Sequence, residues 1–403
     1  MKHIVWTAAG IFALSFTPAH SQTNSNFLDA LAGGSATLDL RYRFEHVDQE
    51  NISRDAEAST LRTRLGYRTG EFKSFSGFLE FHDTREAFAD NFNDTVNGKT
   101  RFPVVADPDM TELNQAWLRY SVTDTNSWLG RRRITRDNHR WIGNVGWRQK
   151  EQTYDSFSLA SSFLPDTRFH YDYLWQINRI FGDESAMGEW DSDSHLAHIS
   201  HDAWPWLTVT GYAWLLDFED DAPGASSNTL GLRFEGKQTI NRVVVGYNLE
   251  YARQKDAHDN PGNYHLSYGL AELEIPVYGV TIKPAWEILE GDGENAVQTP
   301  LATLHAHNGW ADIFLTTPPD GLVDRSLAVS GSPWERISLA ASFHDYRSDR
   351  SSRDYGTEWN LLATWAATDD LTLGAKYADY NEKGFAQDTR KGWLFAEYGF
   401  DQR

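Results

Sequence analysis

Residues 36–45 read ATLDLRYRFE, an unbroken alternation. Ala36, Leu38, Leu40, Tyr42 and Phe44 fall on one side, and Thr37, Asp39, Arg41, Arg43 and Glu45 on the other. This is the period of a β-strand with one apolar and one hydrated face. The same alternation returns in TLRTRLGYRT (60–69), FSGFLEFHDT (75–84), RFHYDYLWQIN (168–178), NTLGLRFEG (228–236) and RVVVGYNLEYAR (242–253). It continues in RISLAASFHDY (336–346), LTLGAKYADYN (371–381) and KGWLFAEYGF (391–400). Helix signals are scarce, so the fold class is all-β. A regular ionised row opposite an apolar row has two natural settings: the outside of a soluble sandwich, or the inside of a water-filled barrel in a bilayer.

The links between strands separate the two. Long polar links at 48–58, 85–111, 135–152, 180–193, 218–227, 254–262, 290–320 and 347–354 alternate with short ones such as 70–74, 123–126, 164–167, 202–206, 237–241, 276–279, 332–335 and 368–370. An antiparallel up-and-down transmembrane β-barrel of about 18 strands predicts this beat, with short turns on one side and long loops on the other. A sandwich has no reason to sort its loops by length. No internal run reaches the ~18 apolar residues of a spanning helix, but a barrel needs only every second residue apolar. Aromatic residues, 14% of the chain with 16 Trp and 17 Tyr, suit interfacial girdles.

The opening MKHIVWTAAGIFALSFTPAHSQ has a lysine head, an apolar stretch from Ile4 to Phe16, and small residues Ala19 and Ser21. It is expected to be a secretory signal peptide over residues 1–21, the alternative being an N-terminal core helix. Residues 22–403 then form a single barrel domain in the bacterial outer membrane, with both termini in the periplasm. Lipid bilayer and lipopolysaccharide are the expected surroundings. There is no cysteine, so disulfides and thiolate metal sites are excluded. The formal charge of −20 argues against nucleic acid as partner.

Strand parity assigns Arg41, Arg43, Arg62, Arg64, Arg68, Arg119, Arg132, Arg168, Arg233, Lys283, Arg336, Lys376 and Lys391 to the lumen. It also assigns Asp39, Glu45, Glu80, Asp172, Glu235, Glu250, Glu287, Glu358 and Glu397 there, a slight cationic excess in an acidic chain. The remaining acids crowd the long links. A lumen lined by arginines favours anionic solutes, because guanidinium offers paired donors to carboxylate; pairing with lumen acids to keep the wall polar is the plainer use. The arginine-dense stretch LGRRRITRDNHRWIGNVGWRQ (129–149) is a constriction if it folds inward and a solvated loop if it does not.

Catalytic and metal patterns are weak. His195, His198 and His201 would share a face only on a helix, and on a strand His198 points away from the other two. His305 and His307 make a same-face pair with no carboxylate fixed beside them by spacing, and no G-x-S-x-G marks a nucleophile. DNFNDTVNGKT (90–100) is loosely of the oxygen-ligand type for divalent cations. The expectation is a channel without enzymatic activity or cofactor; a barrel enzyme acting on lipid or peptide, and a secreted glycan-binding β protein, are the rival classes.

Several segments resemble the alginate-export family of outer-membrane porins: TLRTRLGYRT, ELNQAWLRY (112–120), RWIGNVGWRQKEQTYD (140–155), INRIFG (177–182) and above all QTPLATLHAHNGWADIFLTTPPDGLVD (298–324) with its HNGWAD core. The terminal GWLFAEYGF is similar to the assembly signal of such barrels, although DQR follows Phe400. The resemblance implies an 18-stranded monomeric barrel whose lumen arginines guide acidic polysaccharide. It carries that role onto Arg62, Arg64, Arg132, Arg140 and Arg148.

Overall fold

The structure is a computed structural model and describes residues 26–401; the expected leader, residues 1–21, lies outside the described residues. A short helix, α1 (Phe27–Ala32), precedes β1 (Ser35–Gln49), β2 (Ala56–Arg68), β3 (Phe75–Asn91), β4 (Met110–Val122), β5 (Thr125–Arg132) and β6 (Thr153–Ser161). Then come β7 (Thr167–Asn178), β8 (Glu189–Trp204), β9 (Leu207–Leu216), β10 (Ser227–Ile240), β11 (Val243–Asp256) and β12 (His265–Val277). The last six are β13 (Val280–Leu289), β14 (Leu322–Trp334), β15 (Ile337–Arg347), β16 (Asp354–Ala366), β17 (Leu371–Glu382) and β18 (Thr389–Asp401).

Every strand pairs antiparallel with its sequence neighbours. β1 closes the cylinder: Leu40 stands opposite Thr63 on β2 and opposite Tyr398 on β18. Closure removes every sheet edge, so all backbone donors and acceptors in the strands find partners without water. No described helix is long and apolar enough to cross a membrane.

Alternation fixes the faces. On β2, Arg62 and Arg64 are 2% and 7% exposed, while their neighbours Leu61 and Leu65 are 41% and 56% exposed. The charged row therefore points into the barrel and the apolar row out to lipid, where a mid-membrane Arg or Lys would cost about 2–4 kcal/mol. At one rim the turns are tight. Asn241-Arg242 and Tyr278-Gly279 link their strands with both residues at positive φ (47° and 73°, 49° and 83°), the geometry that matches strand twist. Exposed Tyr67, Phe75, Tyr120, Trp204, Trp206 and Trp334 gather towards this rim, as an interfacial girdle should.

Three expectations need correction. The link expected at 48–58 shrinks to 50–55, and β3 runs on to Asn91 inside the link expected at 85–111; ladder hydrogen bonds continue beyond the apolar belt, where side-chain polarity no longer tracks them. Arg336, assigned to an inward strand position, sits in the turn between β14 and β15 at φ 65° and pairs with exposed Asp369 at 3.0 Å. Finally, the lumen is not lined by ionised groups alone. Buried Tyr154, Tyr212, Trp214, Tyr268, Tyr346, Tyr380 and Trp393 form one apolar cluster with Trp141, Ile142, Val297, Leu301 and Phe314, which belong to the links 133–152 and 290–321.

Candidate functional site

Two long links, 133–152 and 290–321, fold into the barrel and meet there. Gly143 N donates to Leu301 O at 2.8 Å, Thr303 N to His139 O at 3.0 Å, and Val145 N to Thr303 Oγ1 at 3.1 Å. A Cβ on Gly143 would sit 2.2 Å from that hydroxyl, so the approach requires glycine. Fully burying a large apolar side chain such as Ile142 or Leu301 is worth about 1.5–3 kcal/mol, which gives the pair of loops a small core of its own.

The wall charges hold these loops. Arg41 donates to the carbonyls of Gly146 and Trp147 at 3.0 Å and pairs with Glu397 at 2.7 Å. Arg43, fully buried, lies 4.4 Å from the Trp147 ring centre, donates to Trp147 O, and faces Asp107 at 3.5 Å. Arg64 reaches Glu151 at 3.2 Å and Gln149 O at 3.2 Å. Glu151 also accepts from Arg133 (Nε at 2.5 Å), Asn114 at 2.8 Å and Asn144 at 2.7 Å. Burial opposes its ionisation, but Arg133 and Arg64 hold its carboxyl well below the usual range. Arg140 pairs with Glu287 at 2.9 Å and donates to Asn308 at 3.0 Å, and Trp141 Nε1 donates to Glu250 at 2.7 Å. Arg148 faces Glu45 at 3.1 Å, Asp312 at 3.4 Å and Asp107 at 3.7 Å. Arg136 and Arg132 face Asp172, the latter at 3.8 Å, and Asp137 accepts from His198 at 3.0 Å.

The HNGWAD segment docks the second loop. Asn308 donates to Glu287 at 2.6 Å and Asp324 at 3.0 Å, and the Trp310 and Ala311 N–H groups donate to Glu358 at 2.5 and 2.9 Å. Asp312 accepts from Lys391 at 2.7 Å and from His305 Nδ1 at 2.6 Å. Lys376 donates to His305 Nε2 at 2.6 Å and lies 4.0 and 3.9 Å from the Trp147 and Trp310 ring centres. A carboxylate thus stands beside His305 after all, supplied five residues after His307. With Lys376 donating to Nε2, that nitrogen acts as acceptor and the imidazole is neutral. Burial and Lys376 push His305 down to about 3, against the pull of Asp312. Burial works against the charge on Asp312, but His305, Lys391 and Arg148 hold it well below its ordinary value.

Gly309 sits at φ 88°, and a Cβ there would lie 2.3 Å from Glu358 Oε2 and 2.4 Å from the Tyr346 hydroxyl. Gly309→Ala is expected to weaken docking of this loop by about 1–3 kcal/mol. Faster hydrogen exchange at the Trp310 and Ala311 amides reads the effect directly.

The remaining sequence-assigned residues lie elsewhere on the wall. Arg62 pairs with Asp39, and Arg119 donates to Ser76 at 3.1 Å. Arg132 stacks 4.5 Å from the Trp128 ring centre. Arg233 pairs with Glu250 at 3.0 Å and Glu235 at 2.9 Å, and Lys283 with Glu272 at 3.0 Å. Arg168 is at the short-turn rim, exposed, in a two-pronged pair with Asp202 at 2.6 and 3.0 Å. Parity reasoning missed Arg133, Arg136, Trp147, Glu151 and Asp312, which lie on aperiodic links; the length of those links and the HNGWAD core were the signals. Among the described residues no group of three or more His, Asp or Glu could hold a metal ion.

The alginate export family model matches residues 34–257, which run from the start of β1 to the end of β11 and make up more than half of the chain. The chain belongs to the alginate export family. As a member of this family with a closed barrel, it is an outer-membrane porin. Among solved structures, it is similar in fold to OccAB2 of Acinetobacter baumannii (TM-score 0.75, 15% identity, covering 93% of this chain and 100% of that one). It is similar also to OccK9 (OpdG) of Pseudomonas aeruginosa (TM-score 0.73, 13% identity, 93% and 100%). The outer membrane protein OpdK from Pseudomonas aeruginosa has the same fold (TM-score 0.70, 12% identity, 92% and 100%). Among curated proteins none matches. Within the alginate export family member described here, the wall arginines divide into those that anchor the inward loops and those that do not.

Proposed function

We propose that this porin gives passive passage to polar, anionic oligo- or polysaccharides, as the family's name implies, and performs no chemistry. The solute path runs along Arg62, Arg119, Arg132, Arg233 and Lys283, and past Arg41, which also anchors the first loop. Arg43, Arg64, Arg140 and Arg148 act instead as anchors of the constriction, and Arg168 and Arg336 lie at the rim. The barrel works as a monomer, with its termini and short turns in the periplasm and its acidic loops among lipopolysaccharide.

One observation carries this reading. Arg41 and Arg62 are direct cross-strand partners on the inner wall, flanked by Arg43 and Arg64. Like charges directly opposite each other are unfavourable. The nearby carboxylates Asp39 and Glu397 neutralise them only in part, and Arg62 Nη1 is buried with no protein acceptor. A carboxylate passing close to this pair relieves that repulsion through space.

Planar-bilayer reversal potentials in a salt gradient test it. The wild type should favour anions and be blocked by a uronate oligomer but not by a neutral one. Arg62→Ala should reduce the anion-to-cation permeability ratio about fivefold, the equivalent of ~1 kcal/mol between charges in a hydrated channel, with barrel assembly intact. A wild-type channel without anion preference that ignores uronate would sink the proposal.

A further inference from the structure

We propose that α1 is a membrane-surface foot, seated in the phospholipid that faces the short-turn rim of the barrel. The helix is capped by Asn26, whose side chain accepts from Asp29 N at 2.8 Å. At about 100° per residue, Phe27, Leu31 and Leu28 fall within one arc, Ala30 at its edge, and Asp29 opposite its centre. Ala30 is buried against the barrel, whereas Phe27, Leu28 and Leu31 are 57%, 73% and 38% exposed. A six-residue helix that turned such a face to water would gain nothing from its order.

The position of the helix identifies what covers that face. Gly70 N donates to Ala30 O at 2.8 Å, and the Tyr67 hydroxyl donates to Leu31 O. Tyr67 continues the lipid-facing row of Leu61 and Leu65, so α1 lies on the outer surface of the barrel, not in its mouth. Its apolar face is continuous with the belt. Phe27 packs edge-on against Phe72 at 6.0 Å between ring centres, and Phe75 packs on Tyr120 at 4.7 Å on neighbouring outward positions. Exposed Lys73, with its ammonium 5.3 Å from the Phe72 ring centre, sets a cation beside the patch, suited to pair with a lipid phosphate. An apolar arc with a polar back and an adjacent lysine is the pattern of a helix lying in the bilayer interface.

The absence of cysteine makes the test clean. Leu28→Cys, Leu31→Cys, Asp29→Cys, Leu65→Cys and Asp220→Cys, each in the full chain and labelled with an environment-sensitive fluorophore, are reconstituted into phosphatidylethanolamine–phosphatidylglycerol vesicles. Labels at 28 and 31 should be quenched by a nitroxide lipid as strongly as the label at 65 on the belt, and shielded from iodide. The label at 29 should behave like the one at 220 on an exposed loop, open to iodide and remote from the lipid quencher. Iodide access at 28, 29 and 31 alike would place the helix in water and overturn the proposal. Shielding of 28 and 31 from both quenchers would mean that protein, a second copy included, covers the face, and would overturn it equally. Neither reading depends on ion selectivity, so the outcome is separate from that of the transport proposal.

Discussion

Glu151→Ala is expected to release the link 133–152 from the barrel wall and to raise both single-channel conductance and its noise. The carboxylate is fully buried and is the common partner of Arg133, Arg64, Asn114 and Asn144. Removing one member of a buried ion-pair cluster leaves uncompensated charge and costs about 3–5 kcal/mol, comparable with the burial of two large apolar side chains. Other anchors of the link remain, among them Arg140 on Glu287, Arg148 on Glu45 and Trp141 on Glu250, so the release is greatest around Arg133, Asn144 and residue 151 itself. Glu151→Gln should fall between wild type and alanine, since its amide oxygen still accepts from one of the two asparagines while the charge is lost. Unchanged conductance in the alanine variant, with the barrel folded as judged by its heat-modifiable gel mobility, would show that this loop does not limit the path.

Acidification from neutral pH should loosen the second loop, with its histidines His305 and His307 as the responsible groups. Docked, His305 titrates near 3; released into water it returns to 6.5. Between those values the released state binds a proton that the docked state does not, so docking stability falls as pH falls. The loss is about 2 kcal/mol at pH 5 and on the order of 5 kcal/mol by pH 3, at 1.36 kcal/mol per unit. Asp312 and Glu151 are displaced the same way but act at lower pH: their contribution is complete above the ordinary carboxylate range and fades only as pH drops below it. The window from 6.5 down to that range therefore belongs to the two histidines of this loop: His305, surrounded by Asp312, Lys376 and Arg148, and His307, which burial and Arg140 hold well below its ordinary value. Channel recordings and loop hydrogen exchange across this range should show progressive opening in the wild type. His305→Gln should reduce the response, and His305→Gln combined with His307→Gln should flatten it; an unaltered slope in the double variant would assign it elsewhere.

The barrel was legible in the sequence because a strand with one lipid face must repeat every two residues, and Leu61, Leu65 and Tyr67 against Arg62 and Arg64 leave little freedom. Loop lengths announced the antiparallel order, and the family resemblance agreed with both. The constriction was legible only as an option. Arg140 and Arg148 stood out as charges, but nothing local says that Arg140 meets Glu287 or that Glu151 gathers Arg64 and Asn114. Those partners are far apart in the chain, and the links that carry them have no period to read. Parity could say which way Arg43 points but not that it would grip Trp147 instead of lining open water. Arg336 was misplaced for a related reason: in a two-residue turn, alternation no longer dictates direction.

The two loops together reach β1, β2, β4, β7, β8, β11, β13, β14, β16, β17 and β18, nearly the whole circumference. A hollow tube of this width flattens readily under sideways load, whereas a wheel with a hub and spokes does not. Lateral pressure from neighbouring proteins or a change in bilayer thickness is therefore borne by the central junction, and the aperture keeps its cross-section as the surrounding membrane is squeezed.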